Sequence, residues 1–287
     1  MFDVQFVNII WSFMPHNLQE HQIVLAAFGT STTSTGIYQN LKQQFEERFN
    51  QEIPMGFTAR VGTPKLKTVL EGLLLQKEET VIVTPLFMIA GKVVSDDIEE
   101  VVKECKPLFK AIRIAQPLLP DERIYEVVQK ELSSDLNGAG ENDTGIIFVG
   151  HGTPDTIASH IYTDCARKIA SCFSPSVRIT FGNVEMSAPY VKETLGEIIM
   201  GGITTLIVQP FMVVDGVHIH EDIRGALDKQ DPANKIYKYL LDTYGEPLRE
   251  RLSRIKVIYK PGLGAYPGVF ELFADHTVQA ITGQEHL

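Results

Sequence analysis

The sequence predicts an α/β fold of two similar doubly wound units, each a four-stranded parallel sheet flanked by helices. Three observations predict it. Short β-branched runs alternate with helix-length stretches, the same order of runs occurs twice, and a polar, Gly-rich segment separates the copies. The repeat is clearest where Thr80 to Asp97 (TVIVTPLFMIAGKVVSDD) and Thr205 to Asp222 (TLIVQPFMVVDGVHIHED) align at an offset of 125, which superposes Pro85 on Pro210, Gly91 on Gly216 and Asp97 on Asp222.

In chain order, Ile23 to Phe28 is an apolar strand that ends at Gly29. The hydroxyl-rich loop Thr30 to Thr35 follows, and a helix runs from there to about Phe49. Ser and Thr in such a loop accept from the free amides of a first helical turn; the other reading is that Thr30 and Ser31 line a ligand. A short strand is expected near Gly56 to Val61, then a helix opened by Pro64, a residue suited to a first turn. Thr80 to Leu86 is the third strand. Ser95, Asp96 and Asp97 are expected to cap a helix Ile98 to Cys105, with the acids where the helix dipole favours them. A fourth strand (Ala111 to Ala115) and a fourth helix (Asp121 to Leu132) complete the unit.

Ser133 to Thr144 (SSDLNGAGENDT) has no apolar period and reads as a linker. The second copy repeats the order with strands near Gly145 to Val149, Val177 to Gly182, Thr204 to Gln209 and Ile255 to Tyr259. It carries an insertion of 19 residues between Arg224 and Arg254, because Pro117 and Pro261 are 144 apart where the preceding offset is 125. The insertion is expected to lengthen the third helix. The resulting division is an N-terminal extension (1–22), a first half (23–137) and a second half (138–287) that includes a C-terminal helix.

Bulk properties narrow the function. The chain has 287 residues, with 26 basic against 36 acidic for a net charge of −10, which disfavours nucleic acid as a partner because phosphate binding needs a basic face. No apolar run approaches the roughly 18 residues of a membrane span, and the start lacks the pattern of a signal peptide. Three cysteines without a Cys-x-x-Cys pair fit reduced thiols, and with them a cytoplasmic location.

The duplication supplies an internal control: a polar residue found in one copy only is a candidate for chemistry. Opposite His151 stands Phe28, opposite Glu185 stands Arg60, and opposite His218 stands Val93. The second copy alone therefore carries a His, Glu, His set, and each member follows a strand, at the carboxyl edge where doubly wound sheets bind ligands. The members are 34 and 33 residues apart, so no local metal motif joins them. Such donors suit zinc, cobalt, nickel or ferrous iron, and an imidazole can instead serve as a base. His220 falls at the expected cap of the following helix. Glu221 and Asp222 match acids of the first copy and read as dipole-stabilising residues. Gly91 and Gly216 read as backbone requirements, and Gly262-Leu263-Gly264 as a turn.

The segments VGHGT (149–153), GNVE (182–185), PFMVVDGVH (210–218) and FGTS (28–31) resemble the anaerobic sirohydrochlorin cobaltochelatases, relatives of ferrochelatase among the class II chelatases. The resemblance covers roughly 23 to 281. It implies two α/β halves with a tetrapyrrole in the cleft between them, and a divalent metal ion as second substrate, with cobalt ahead of iron or nickel. It further implies that His151, Glu185 and His218 bind the metal and handle protons, and that no organic cofactor is needed. Phe28, Met88, Phe211 and Met212 would then offer the ring apolar contact, and Lys92 a partner for a substrate carboxylate. Some relatives carry a glutamate in the first-half loop where this chain has Lys92-Val93-Val94, so no first-half carboxylate ligand carries over. The expected partner is a small tetrapyrrole, with neither nucleic acid nor membrane, and a homo-oligomer is left open.

Overall fold

A computed structural model describes residues 21–29, 35–58, 61–75, 80–139 and 143–283. The expected extension and the Thr30–Ser31 pair lie outside them, apart from the last two residues of the extension. The first half contains β1 (Gln22–Ala27), α1 (Thr35–Phe49), β2 (Met55–Phe57), α2 (Leu66–Leu75) and β3 (Thr80–Pro85). A π-helical turn (Val93–Glu99) runs into α3 (Glu100–Cys105), followed by β4 (Ala111–Ile114) and α4 (Arg123–Ala139). The second half contains β5 (Thr144–Gly150), α5 (Thr156–Ser171), β6 (Arg178–Asn183), α6 (Val191–Met200) and β7 (Thr205–Pro210). Another π-helical turn (His218–Ile223) leads into α7 (Arg224–Leu227), then α8 (Lys235–Tyr244), α9 (Glu246–Leu252), β8 (Lys256–Tyr259) and α10 (Pro267–Thr282).

The strands form two parallel four-stranded sheets of matching order, β2-β1-β3-β4 and β6-β5-β7-β8. The central strands β1, β3, β5 and β7 are buried almost throughout, as their β-branched and leucine runs require. Two outer apolar clusters pack α2 and α3 on one side of the first sheet and α6 to α9 on one side of the second. A central cluster, which includes Leu25, Phe45, Phe148, Phe211 and Phe273, is shared by the inner faces of both sheets. Among the described residues no helix is long and apolar enough to cross a membrane.

Several expectations need correction. The stretch expected to be a linker is helical as far as Ala139, and α4 uses its length to reach the second half: Asp135 pairs with Lys260 at 2.6 Å, and Gln129 donates to the Cys172 carbonyl. Ile124, Val128, Leu132 and Leu136 recur at helical spacing on its buried face, a period that continues into the polar stretch. The C-terminal helix, grouped by sequence with the second half, packs on the first sheet, where Thr277 Oγ1 lies 2.8 Å from Thr84 Oγ1 and Arg113 donates to the Ala280 and Ile281 carbonyls.

The two halves thus hold one another by their last helices. His276, buried on α10, lies 2.9 Å from Asp121, which also pairs with Arg123. The insertion makes the separate helices α8 and α9 rather than a longer helix. Asn234 caps α8, and Gly245 turns the chain between the two helices with φ +59°. Ser95-Asp96-Asp97 and His220 lie inside π-helical turns rather than at the cap positions, because each turn begins at least two residues before them.

Candidate metal centre

Sheet register explains how three residues so far apart in sequence meet. Strand β5 lies between β6 and β7, with Gly150 beside Asn183 and Val149 beside Pro210. His151 follows β5 directly, Glu185 lies two residues beyond β6, and His218 opens the π-helical turn after β7. One donor atom from each of the three lies within 4.8 Å of the others. The imidazoles of His151 and His218 meet edge to face, with ring centroids 5.0 Å apart.

Backbone pairing continues past the strand ends and sets the first two donors. Val184 N donates to Gly150 O at 2.9 Å, and Glu185 N to His151 O at 3.1 Å. Gly152 makes the approach feasible: it has φ +89°, and a Cβ there would collide with the Glu185 carbonyl. Buried Asn183 donates through Nδ2 to Ser187 O at 3.0 Å, and Ser187 Oγ accepts from Thr153 N at 3.3 Å, tying the two loops together. Behind the His218 loop, Gly264 N donates to Val213 O at 2.9 Å, and a Cβ on Gly262 would come within 2.7 Å of the Asp215 amide. Gly262 and Gly264 are therefore supports of the ligand loop, a role the reading as a turn misses. Their presence in the second copy only was the available signal.

The surroundings of the two imidazoles differ. Burial first, and then the neighbouring His218, holds His151 below the ordinary imidazole pKa, against smaller opposing effects from the Gly152 backbone and Glu185. His151 is thus neutral at neutral pH, with a lone pair for a cation or a proton. His218 Nδ1 lies 2.7 Å from Asp222 Oδ2, and His220 Nε2 lies 3.2 Å from Asp215 Oδ2. His220 is accordingly engaged elsewhere and is outside the set of three. Two imidazoles with one carboxylate would leave coordination positions open on a bound divalent ion, the arrangement of an exchange or catalytic site rather than a closed structural one.

The other residues singled out by sequence are distributed unevenly. Lys92 is exposed, with Nζ 3.9 Å from Asp96. Met88 and Phe211 are packed in the central core, Met212 is partly buried, and Phe28 is 42% exposed at the end of β1. Val217 and Met186, each adjacent to a donor, are also exposed. A Cβ on Gly91 would lie 3.6 Å from Thr153 and Ala158, so the first-half loop borders the donors' edge. That contact is ordinary, and a Cβ on Gly216 would meet nothing within 4 Å, so neither glycine is required by crowding. Arg60, opposite Glu185 in the duplication, lies outside the described residues.

Among the described residues, the two matching α/β halves carry one His, Glu, His cluster, at the carboxyl edge of a single sheet. The chain belongs to the cobalt chelatase (CbiK) family, whose pattern matches residues 3–100 and 76–282. It is 25% identical over 279 residues to the sirohydrochlorin cobaltochelatase CbiKC of Nitratidesulfovibrio vulgaris, covering 91% of this chain and 90% of that one. It is 34% identical to the sirohydrochlorin cobaltochelatase of Methanococcoides burtonii over 110 residues, 36% of this chain and 82% of the relative. In fold it resembles SirB from Bacillus subtilis with Fe3+, at TM-score 0.68 and 16% identity over 92% of this chain and 98% of that one.

Proposed function

We propose that the protein inserts a divalent metal ion, cobalt in preference to iron or nickel, into sirohydrochlorin. The observation that carries the reading is the convergence of His151, Glu185 and His218 within 4.8 Å at one sheet edge. Family membership and the cobaltochelatase relatives support the reaction and the substrate class.

Insertion requires the ion to exchange protein donors for pyrrole nitrogens and the ring to lose two N–H protons. Two imidazoles and one carboxylate hold the entering ion with open positions that ring nitrogens can occupy. Glu185 offsets part of the ion's charge, which lowers the cost of stripping its water. As metal–nitrogen bonds form, the two pyrrole protons leave, one to an imidazole released from the ion, a suitable acceptor near neutral pH, and the other to solvent water. Exposed Phe28, Met186 and Val217 offer apolar contact to a flat ring.

The test is a turnover assay of purified protein with sirohydrochlorin and Co2+, Fe2+ or Ni2+ in competition. Catalytic formation of the cobalt product, with iron and nickel slower, is expected. Stoichiometric spectral change without turnover would show a carrier instead, and preference for another ion would overturn the metal assignment.

A further inference from the structure

Both copies of the repeat place an acid at the same point of the π-helical turn, Asp97 in the first and Asp222 in the second. The side chains nevertheless have different work available. Asp222 lies four residues after His218, with Oδ2 2.7 Å from His218 Nδ1. The residue four before Asp97 is Val93, so the first copy has no imidazole for its acid to orient.

We infer that Asp222 is a positioning residue for metal uptake, holding His218 as the Nδ1–H tautomer so that Nε2 presents its lone pair to the ion. The inference rests on the reading of His151, Glu185 and His218 as the metal donors. An ionised carboxylate only accepts hydrogen bonds, so the shared proton belongs on Nδ1 and the free lone pair on Nε2. A charged acceptor behind a ligating imidazole also makes the other nitrogen a better donor to metal, and losing such a partner weakens binding by about 10–100-fold.

The backbone under this pair is fixed independently. Asn234, in the insertion that the first copy lacks, donates through Nδ2 to Asp222 O at 2.8 Å and to Glu221 O at 3.2 Å. Its Oδ1 accepts from Ile236 N and Tyr237 N at the start of α8. Gly225 leaves room for this clasp, since a Cβ there would come within 2.6 Å of Asn234 Nδ2, and the first copy has Glu100 at that point. Removing the Asp222 carboxylate therefore leaves the turn anchored, and the effect should fall on the imidazole. His220, two residues after His218, is engaged by Asp215 at 3.2 Å and is not available as a substitute.

The experiment measures Co2+ binding to the full-length protein by equilibrium dialysis, together with the visible absorption of the bound ion, for the parent, Asp222→Ala, Asp222→Asn, Asp97→Ala and His218→Ala. Asp222→Ala should weaken cobalt binding about 10–100-fold and alter the absorption bands, while Asp97→Ala stays within about 2-fold of the parent. Asp222→Asn, which keeps an oxygen acceptor but not the charge, should fall between them and provides the reading if the alanine variant does not fold. Parent-like cobalt binding by both Asp222 variants, or equal weakening by Asp97→Ala, would overturn the inference. If His218→Ala binds cobalt like the parent, the set of donors itself is wrong; if it loses binding while the Asp222 variants do not, only the positioning role fails.

Discussion

At the end of β1, Gly29 lies so close to the Val61 carbonyl that a Cβ would collide with it, and at the end of β5 Gly152 stands in the same relation to Glu185. In β2, Gly56 lets Leu66 approach so closely that a Cβ would lie 2.5 Å from the Leu66 Cα, and in β6 Gly182 does the same for Val191 at 2.6 Å. Each third strand is followed by a π-helical turn. The halves therefore share close backbone approaches, strand order and turn type, and differ in the side chains mounted on them. The comparison separates what builds the scaffold, which is kept twice, from the proposed metal donors, which are present once.

The largest expected effect breaks the chemical side of that comparison. His218→Ala should lower cobalt insertion by at least about 100-fold with little change in folding, measured by turnover beside a thermal melt. The scaffold side is tested by Gly29→Ala and Gly152→Ala. Both should destabilise the protein by about 2–4 kcal/mol in urea unfolding, since each forces a backbone shift and Gly152 also has a positive φ. If only the second-half variant were harmed, the approach would belong to the site and not to the repeated scaffold.

Asn234→Ala probes the insertion that only the second half carries. It removes the cap of α8 and should cost about 0.5–2 kcal/mol, with weaker cobalt binding because the His218 turn loses its clasp. The smallest effect concerns the crossed helices. Burial opposes ionisation of Asp121, but hydrogen bonds from Arg123 and His276 outweigh it and bring the pKa down to about 2. A carboxylate depressed in the folded state stabilises above its unfolded pKa of about 4, and that contribution is lost as pH falls from there through about 2. Unfolding free energies from urea titration at pH 5 and pH 3 should differ more in the parent than in Asp121→Asn, by about 1 kcal/mol after allowance for solvent screening.

Much of this is legible in the sequence because the repeat reports burial and chemistry separately. The alternation of β-branched runs locates each strand to within a few residues, and the residues unique to the second copy locate the cluster. Side-chain partnerships are less legible. Asp222 reads as scaffold because it recurs in both copies, yet a recurring acid can have a different neighbour in each. The polar composition of 133–144 conceals the end of α4, whose backbone continues to Ala139. The crossing of α10 to the first sheet leaves no local mark at all, since it depends on which inner face remains uncovered once both sheets have formed.

The central claim is that one copy of a duplicated fold grips the ion and the other does not. Crystals soaked in cobalt and measured for anomalous scattering test it most directly. A single strong peak bounded by His151, Glu185 and His218, with none at the corresponding edge of the first sheet, is the predicted result. A peak at the first-half edge, or cobalt held elsewhere with the three donors bare, would contradict it.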